Sequence, residues 1–247
     1  MNAAASAVDR QTTANTAGRA IVTGSSSGIG AAVTQHLLAK GWQVDGLDRA
    51  VACMVHPQLV SHRIDLADAR QSQALVAMLL RVGTPHALVH AAGMLRPGEI
   101  GTLDTDDGAS MWQLHVPAAT VLANAVLPAM RLQRSGRLVL IGSRVWRGAA
   151  GRSQYAASKA ALVSLARSWA AEVVSDGITV NVVSPAATDT PMLQDTARAT
   201  VVPKLPPFGR FIQPNEVAAL VGFLLSPDAA AITGQDIAVC GGASLPR

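Results

Sequence analysis

An α/β fold, with one parallel sheet covered by helices on both faces, is predicted by three features of this 247-residue chain. Short runs rich in β-branched residues alternate with longer Ala/Leu-rich runs, the signature of repeated βαβ units with right-handed crossovers. No linker-like stretch or internal repeat divides the chain, so one domain is expected. A glycine-rich turn lies directly between the first strand-like run and the first helical one.

The elements follow in order. "RAIVTG" (19–24) reads as a buried strand, and the pattern from Ile29 to Lys40, stopped by Gly41, as a helix. Six more runs read as strands: 42–48, 59–65, 86–93, 136–143, 178–185 and 235–242. Helical patterns fill the gaps at 67–82, 109–133, 153–175 and 214–226. The segment 186–212 differs. Its Thr and Pro content and the run "PKLPPFG" predict a long irregular excursion, expected to be a lid over a substrate. Residues 1–18 are small and polar, without the apolar core of a secretory signal, and are expected to form a disordered tail before a domain spanning 19–247.

Composition narrows the classes. Hydrophobic residues make up 49% of the chain, yet no run reaches the 18 or more apolar residues of a membrane span, so a soluble protein with no membrane partner is expected. Cys53 and Cys240 lie far apart and make no metal spacing; no metal site and a reducing, cytoplasmic location are expected. The net charge of +4 is unevenly spread. No acidic residue lies between Asp107 and Glu172, while Arg131, Arg134, Arg137, Arg144, Arg147 and Arg152 fall in that gap. Nucleic-acid binding would call for interleaved aromatics or a basic module, and neither is present. An anionic small molecule or an acidic neighbouring subunit accounts better for the asymmetry.

Three constellations carry chemistry. In "TGSSSGIG" (23–30), Gly24, Gly28 and Gly30 allow a tight turn and bring backbone close to a pyrophosphate at a helix N-terminus. About twenty residues on, Asp48 ends the second strand, where a carboxylate accepts hydrogen bonds from ribose hydroxyls and repels a 2′-phosphate. NAD is therefore preferred, although Arg49 keeps NADP open. Asp65, ending the third strand, is a candidate for the adenine amino group or an ordinary helix cap.

The second constellation is Tyr155, the chain's one tyrosine, with Lys159, one of three lysines, a helical turn later. A free phenol has a pKa of about 10, and lowering it to about 7–8 takes roughly 3–4 kcal/mol of selective phenolate stabilisation. A nearby ammonium supplies it, making Tyr155 able to take a proton from an alcohol or give one to a carbonyl. The third is Ser143, at a strand end twelve residues earlier, where a hydroxyl can hold the reacting oxygen.

Together these residues resemble the short-chain dehydrogenase/reductase family. The likeness runs from about Gly18 to Leu245 and includes "TGSSSGIG", Asp48, "HAAG" (90–93), Ser143, "YAASK" (155–159), "NVVSPAATDTP" (181–191) and the closing "PFGRFIQPNEVA…CGG". It implies a seven-stranded, doubly wound Rossmann-type sheet and hydride transfer between a nicotinamide cofactor and a substrate carbon. It casts Tyr155 as general acid/base, Ser143 as substrate orienter, and Lys159 as both pKa modulator and ribose ligand. It extends the cofactor set to Ser26, Ser27, Ile29, Arg49, Leu66, Ala91, Ala92, Gly93, Pro185, Ala186, Thr188 and Thr190, and implies a homotetramer or homodimer.

Three departures stand out. His90 replaces an asparagine that usually ties neighbouring strands, and Ala186 replaces a glycine. His115 falls where the family's catalytic asparagine helps hold a proton-relaying water; a histidine there is expected to serve the relay itself, or to be a plain helix residue. Arg96, Arg144, Arg147 and Arg152 are candidates to clamp an anionic substrate, with Met192 a further substrate candidate. A carboxylated cyclic diol and a 3-oxoacyl thioester both fit. The expected activity is interconversion of a secondary alcohol and a ketone; the rival reading is a dinucleotide-binding protein of the same fold with impaired turnover.

Overall fold

The computed structural model describes residues 17–196 and 203–246. Seven parallel strands form its sheet: β1 (Arg19–Thr23), β2 (Gln43–Asp48), β3 (Leu59–Arg63), β4 (Ala87–His90), β5 (Gly136–Ile141), β6 (Ile178–Pro185) and β7 (Asp236–Val239). Their order is β3-β2-β1-β4-β5-β6-β7. The chain therefore reverses its direction of travel between β1 and β4, the switch point beside which ligands bind in doubly wound sheets.

The five central strands, β2, β1, β4, β5 and β6, are largely buried on both faces, and their side chains divide by parity between two apolar layers. Ile21, Leu88, Leu138 and Leu140 enter one layer; Ala20, Val22, Ala87, Val89, Val139 and Ile141 enter the other. Helices α1 (Gly28–Ala39) and α5 (Pro214–Leu225) close the second layer with Val33, Leu37, Val217, Val221 and Leu224. Helices α2 (Ala69–Val82), α3 (Thr105–Gln133) and α4 (Ser153–Val173) close the first with Val76, Leu122, Val126 and Leu162. A fully buried Leu or Ile contributes about 1.5–3 kcal/mol, so these layers dominate stability.

Local chemistry sets the element ends. α3 starts at Thr105, four residues before the expected start, because the Asp104 carboxylate accepts the N–H groups of Asp106 and Asp107. Pro117 and Pro128 lie within it, and each removes a backbone donor from the helix ladder. The arginine-rich gap is largely structural. Arg131 and Arg134 donate to the carbonyls of Glu172 and Ser175 at the end of α4 and pair with Asp176; Arg137 reaches Gly177 O. Ala17 and Gly18, on the tail side of the expected boundary, already pair with Gly41 and Gln43 through the backbone. The rest of the expected tail, residues 1–16, lies outside the described residues, as do 197–202 of the expected lid. The described part of that excursion holds a 3-10 turn at Pro191–Leu193 and returns to the body through a bridge between Thr188 and Ile212.

Candidate active site

One large cleft, about 1310 Å³, runs along the C-terminal ends of the strands. Its floor at one end is the glycine turn. Gly24 and Gly28 have φ of +67° and +53°, a backbone shape that side chains rarely adopt. A Cβ on Gly30 would lie 2.1 Å from Gly24 O, so only glycine lets α1 begin this close to β1. Ser27 caps α1 without a side-chain hydrogen bond, and the first turn carries no acidic residue. Helix-end N–H groups and the positive end of the helix dipole are thus available to an anion in the cleft. This cradle of glycine backbone and helix-end N–H groups fits the pyrophosphate of a dinucleotide.

The Asp48 carboxylate, expected to read the adenosine ribose, is fixed by accepting from Ser26 N (3.0 Å) and Ala50 N (2.9 Å). Its remaining lone pairs line the cleft beside Arg49, Asp65 and Leu66. Asp65 accepts from Ala67 N at 2.9 Å, while the cap of α2 is Asp68, bonded to Gln71 N. Asp65 is therefore not the helix cap. Ser26 stands apart from the other expected cofactor residues: its N–H goes to Asp48, and it lines a shallow hollow with His62 and Arg63 behind the main cleft. Ser27, Ile29, Ala91, Ala92, Gly93, Pro185, Ala186, Thr188 and Thr190 all line the cleft.

At the middle of the cleft the structure brings together Ser143, Tyr155 and Lys159, all nearly buried. Ser143 follows β5, with Val145 N a distant 3.5 Å from its hydroxyl oxygen. Tyr155 and Lys159 share one face of α4, and the lysine Nζ sits 5.8 Å from the phenol ring centroid. Nζ donates to Ile141 O at 2.9 Å. Burial pushes the lysine pKa down from 10.5 to about 7, so in the cofactor-free protein its proton is readily exchanged near neutrality.

Two fully buried histidines lie behind these groups. The Thr23 hydroxyl oxygen accepts from Ala91 N and Ala92 N, both at 3.0 Å, which leaves its proton for His90 Nδ1 at 3.1 Å. His90 thus joins β4 to β1, as the family's asparagine joins strands, and keeps its own proton on Nε2. That nitrogen faces the Leu114 and His115 carbonyls without reaching hydrogen-bond geometry. Burial, then the Lys159 charge, lowers the His90 pKa to about 3. His115 Nε2 accepts from Met94 N (3.1 Å) and Nδ1 lies 2.8 Å from Ser158 Oγ. Burial, then Lys159 and His90, hold its pKa well below the usual 6.5.

Away from Asp48, where substrate is expected, the cleft combines apolar surface from Met94, Leu95, Val145, Met192, Leu193 and Leu205 with three cations, Arg144, Arg152 and Lys204. Among the described residues, the cleft's only carboxylates are Asp48 and Asp65, at the far end. Arg144 donates to Ala243 O at 3.2 Å. Arg96 and Arg147, two of the expected anion clamps, do not line the cleft. Arg96 pairs with Asp195 at 2.9 Å, tying the loop after β4 to the excursion. Arg147 stacks on Trp146, 4.6 Å from its ring, while that indole donates to Asp236. Arg144 and Arg152, also expected as clamps, do line the cleft, and Lys204 joins them. Lys204 carried little sequence signal, standing alone in a proline-rich run.

The family model for enoyl-(acyl carrier protein) reductase matches residues 24–244. The chain is 34% identical over 234 residues to the 3-oxoacyl-[acyl-carrier-protein] reductase FabG of Salmonella typhimurium, covering 90% of this chain and 96% of that one. It is 36% identical over 238 residues to the 2,3-dihydro-2,3-dihydroxybenzoate dehydrogenase of Escherichia coli, covering 91% and 96%. Among solved structures, an actinorhodin polyketide ketoreductase variant with NADPH superposes with a TM-score of 0.85 at 28% identity, over 93% of this chain and 98% of that one. The ligand-free aldohexose dehydrogenase of Thermoplasma acidophilum gives 0.87 at 26% identity, over 94% and 96%.

Fold and site thus define an oxidoreductase with a Rossmann-type nucleotide-binding sheet, acting on CH–OH groups with NAD or NADP. The chain belongs to the short-chain dehydrogenase/reductase family. Among the described residues, no helix is long and apolar enough to cross a membrane, and no cluster of His, Cys, Asp or Glu is arranged to hold a metal.

Proposed function

We propose that the chain interconverts a secondary alcohol and a ketone on an anionic substrate, with Tyr155 as the general acid/base. The observation that carries this reading is the convergence of Tyr155, Lys159 and Ser143 on one cleft whose other end is the glycine cradle and Asp48. When bound there, the dinucleotide supplies the hydride acceptor or donor. The chain's own residues do the rest. Ser143 Oγ, weakly engaged by Val145 N, is available to hold the substrate oxygen. The Tyr155 hydroxyl passes a proton to or from that oxygen, and Lys159 stabilises the phenolate while its N–H groups hold the nicotinamide ribose.

The Asp48 carboxylate favours NAD, because its free lone pairs accept ribose hydroxyls and oppose a 2′-phosphate. NADP is a second reading, supported by Arg49 beside the same carboxylate and by the likeness to a ketoreductase with NADPH. Arg144, Arg152 and Lys204 support an anionic substrate, consistent with the 3-oxoacyl-[acyl-carrier-protein] and 2,3-dihydro-2,3-dihydroxybenzoate for which two relatives are named. We read 186–212 as the lid over that end, and a homotetramer or homodimer as the assembly.

The test is turnover of the purified chain with NAD and NADP against two panels, carboxylated cyclic diols and 3-oxoacyl thioesters, beside uncharged analogues. Turnover that depends on Tyr155 and prefers charged substrates is expected. Cofactor binding without hydride transfer on any substrate would favour the impaired dinucleotide binder instead.

A further inference from the structure

We propose that His115 is a positioning residue: its neutral imidazole, with the proton on Nδ1, clamps the loop after β4 to the turn of α4 that carries Tyr155 and Lys159. The inference rests on the Tyr155 reading above but stands on different observations.

The hydrogen-bond directions leave one arrangement. Met94 N–H is a donor, so Nε2, 3.1 Å away, receives with its lone pair and carries no proton. The single proton of a neutral ring is then on Nδ1, 2.8 Å from Ser158 Oγ. Ser158 in turn donates to Tyr155 O at 2.8 Å. A directed chain thus runs from the Met94 amide through the imidazole and a hydroxyl to the backbone of the catalytic turn.

Packing tightens the clamp. The imidazole meets the Tyr155 ring edge-on, with centroids 5.7 Å apart and planes at 81°. A Cβ on Gly93 would lie 3.0 Å from His115 Nε2 and 3.4 Å from Lys159 Nζ, so the loop backbone, the imidazole and the lysine meet at one point. Met94 and Leu95, the first residues the clamp holds, line the substrate end. His115 thereby fixes where substrate sits relative to the phenol, and a displacement of about 1 Å there costs up to about a hundredfold in rate.

A proton relay through this ring needs a second proton on Nε2. That would set a donor against the Met94 donor and add a cation beside Lys159 and His90, the other basic groups near it. Burial and those two neighbours oppose it. A carboxamide also offers one acceptor and one donor, so Asn and Gln are the conservative replacements.

The experiment pairs spectroscopy with kinetics on the full chain. In ¹⁵N-histidine-labelled protein, with the His115→Gln variant supplying the assignment, His115 is expected to show a neutral Nδ1–H signature from pH 5.5 to 9. A ring that titrates in that range, or carries its proton on Nε2, overturns the proposal whether or not a substrate has been found. With a turned-over substrate, His115→Asn or His115→Gln should keep kcat and its pH profile within a few-fold of the parent. His115→Phe should raise KM about tenfold or more with dinucleotide affinity unchanged. An ionisation missing from the His115→Asn profile, or a parental KM in His115→Phe, overturns it. If the parent chain turns nothing over while the spectrum is as expected, the Tyr155 reading falls and the clamp stands.

Discussion

Tyr155 and Lys159 line the cleft but are nearly buried, Tyr155 against Leu95, Met111 and Val145, so shape-conserving replacements are the ones that test chemistry with little disturbance of packing. Tyr155→Phe should lower kcat by about 10²–10⁴-fold with an unchanged melting temperature, measured by steady-state kinetics and calorimetry. Lys159 adds a pH signature. Its folded-state pKa, about 7, lies below the unfolded 10.5. Below about pH 7 both states hold the proton and the fold bears the full cost of a buried cation. Between about pH 7 and 10.5 the unfolded chain binds a proton that the folded chain releases, so stability rises with pH. His90, lowered to about 3, has the same sign between about pH 3 and 6.5. Cofactor-free protein should therefore resist denaturant better at pH 9 than at pH 6, and Lys159→Met should flatten that difference. Equal slopes for parent and variant would sink the assignment. At the adenosine end, Asp48→Ser should shift the ratio of kcat/KM values towards NADP; an unmoved ratio would mean that Asp48 does not read the ribose.

At the scale of elements, the alternation of strands and helices and the start of each strand were legible because strand and helical periods are local properties, whereas several strands end earlier than expected. β5, expected at 136–143, stops at Ile141, and Gly142 and Ser143 run on as the loop that bears the site. What was not legible depends on partners far along the chain. Arg96 resembles a substrate clamp until Asp195, 99 residues away, occupies it; Arg147 does so until Trp146 offers its ring. The donors and acceptors that define His115 come from positions 21 and 43 residues distant, so its chemistry could not be read from its own helix. The Arg96–Asp195 pair joins two loops beside the cleft. Arg96→Ala should raise KM for substrate and speed proteolysis within 186–212, with dinucleotide affinity retained; unchanged proteolysis would count against a lid held by that pair.

The whole molecule is held by its sheet, and one polar contact crosses it in an unusual place. Asp45, on β2, is buried and paired with Arg19 Nε at 2.7 Å and His62 Nε2 at 3.0 Å. Removing one member of a buried pair costs about 3–5 kcal/mol, so Asp45→Asn should lower the urea midpoint sharply while sparing kcat in the surviving folded fraction. Trp112 on α3, Val174 after α4 and Phe223 on α5 are exposed on separate elements. Light scattering should report a dimer or tetramer; a monomer at micromolar concentration would remove the expected assembly.

The cleft is walled by strand ends and the loops after them, with α1, α3 and α4 each presenting one turn to it, while most of the two apolar layers lies below. Catalyst engineering can exploit this separation. Libraries confined to the cleft-lining positions Met94, Arg144, Ala149, Met192, Leu193 and Leu205, none of them fully buried, should retune which ketones are accepted, and their members should express as readily as the parent. Randomising 19–23 or 138–141 would cost yield before it changed selectivity.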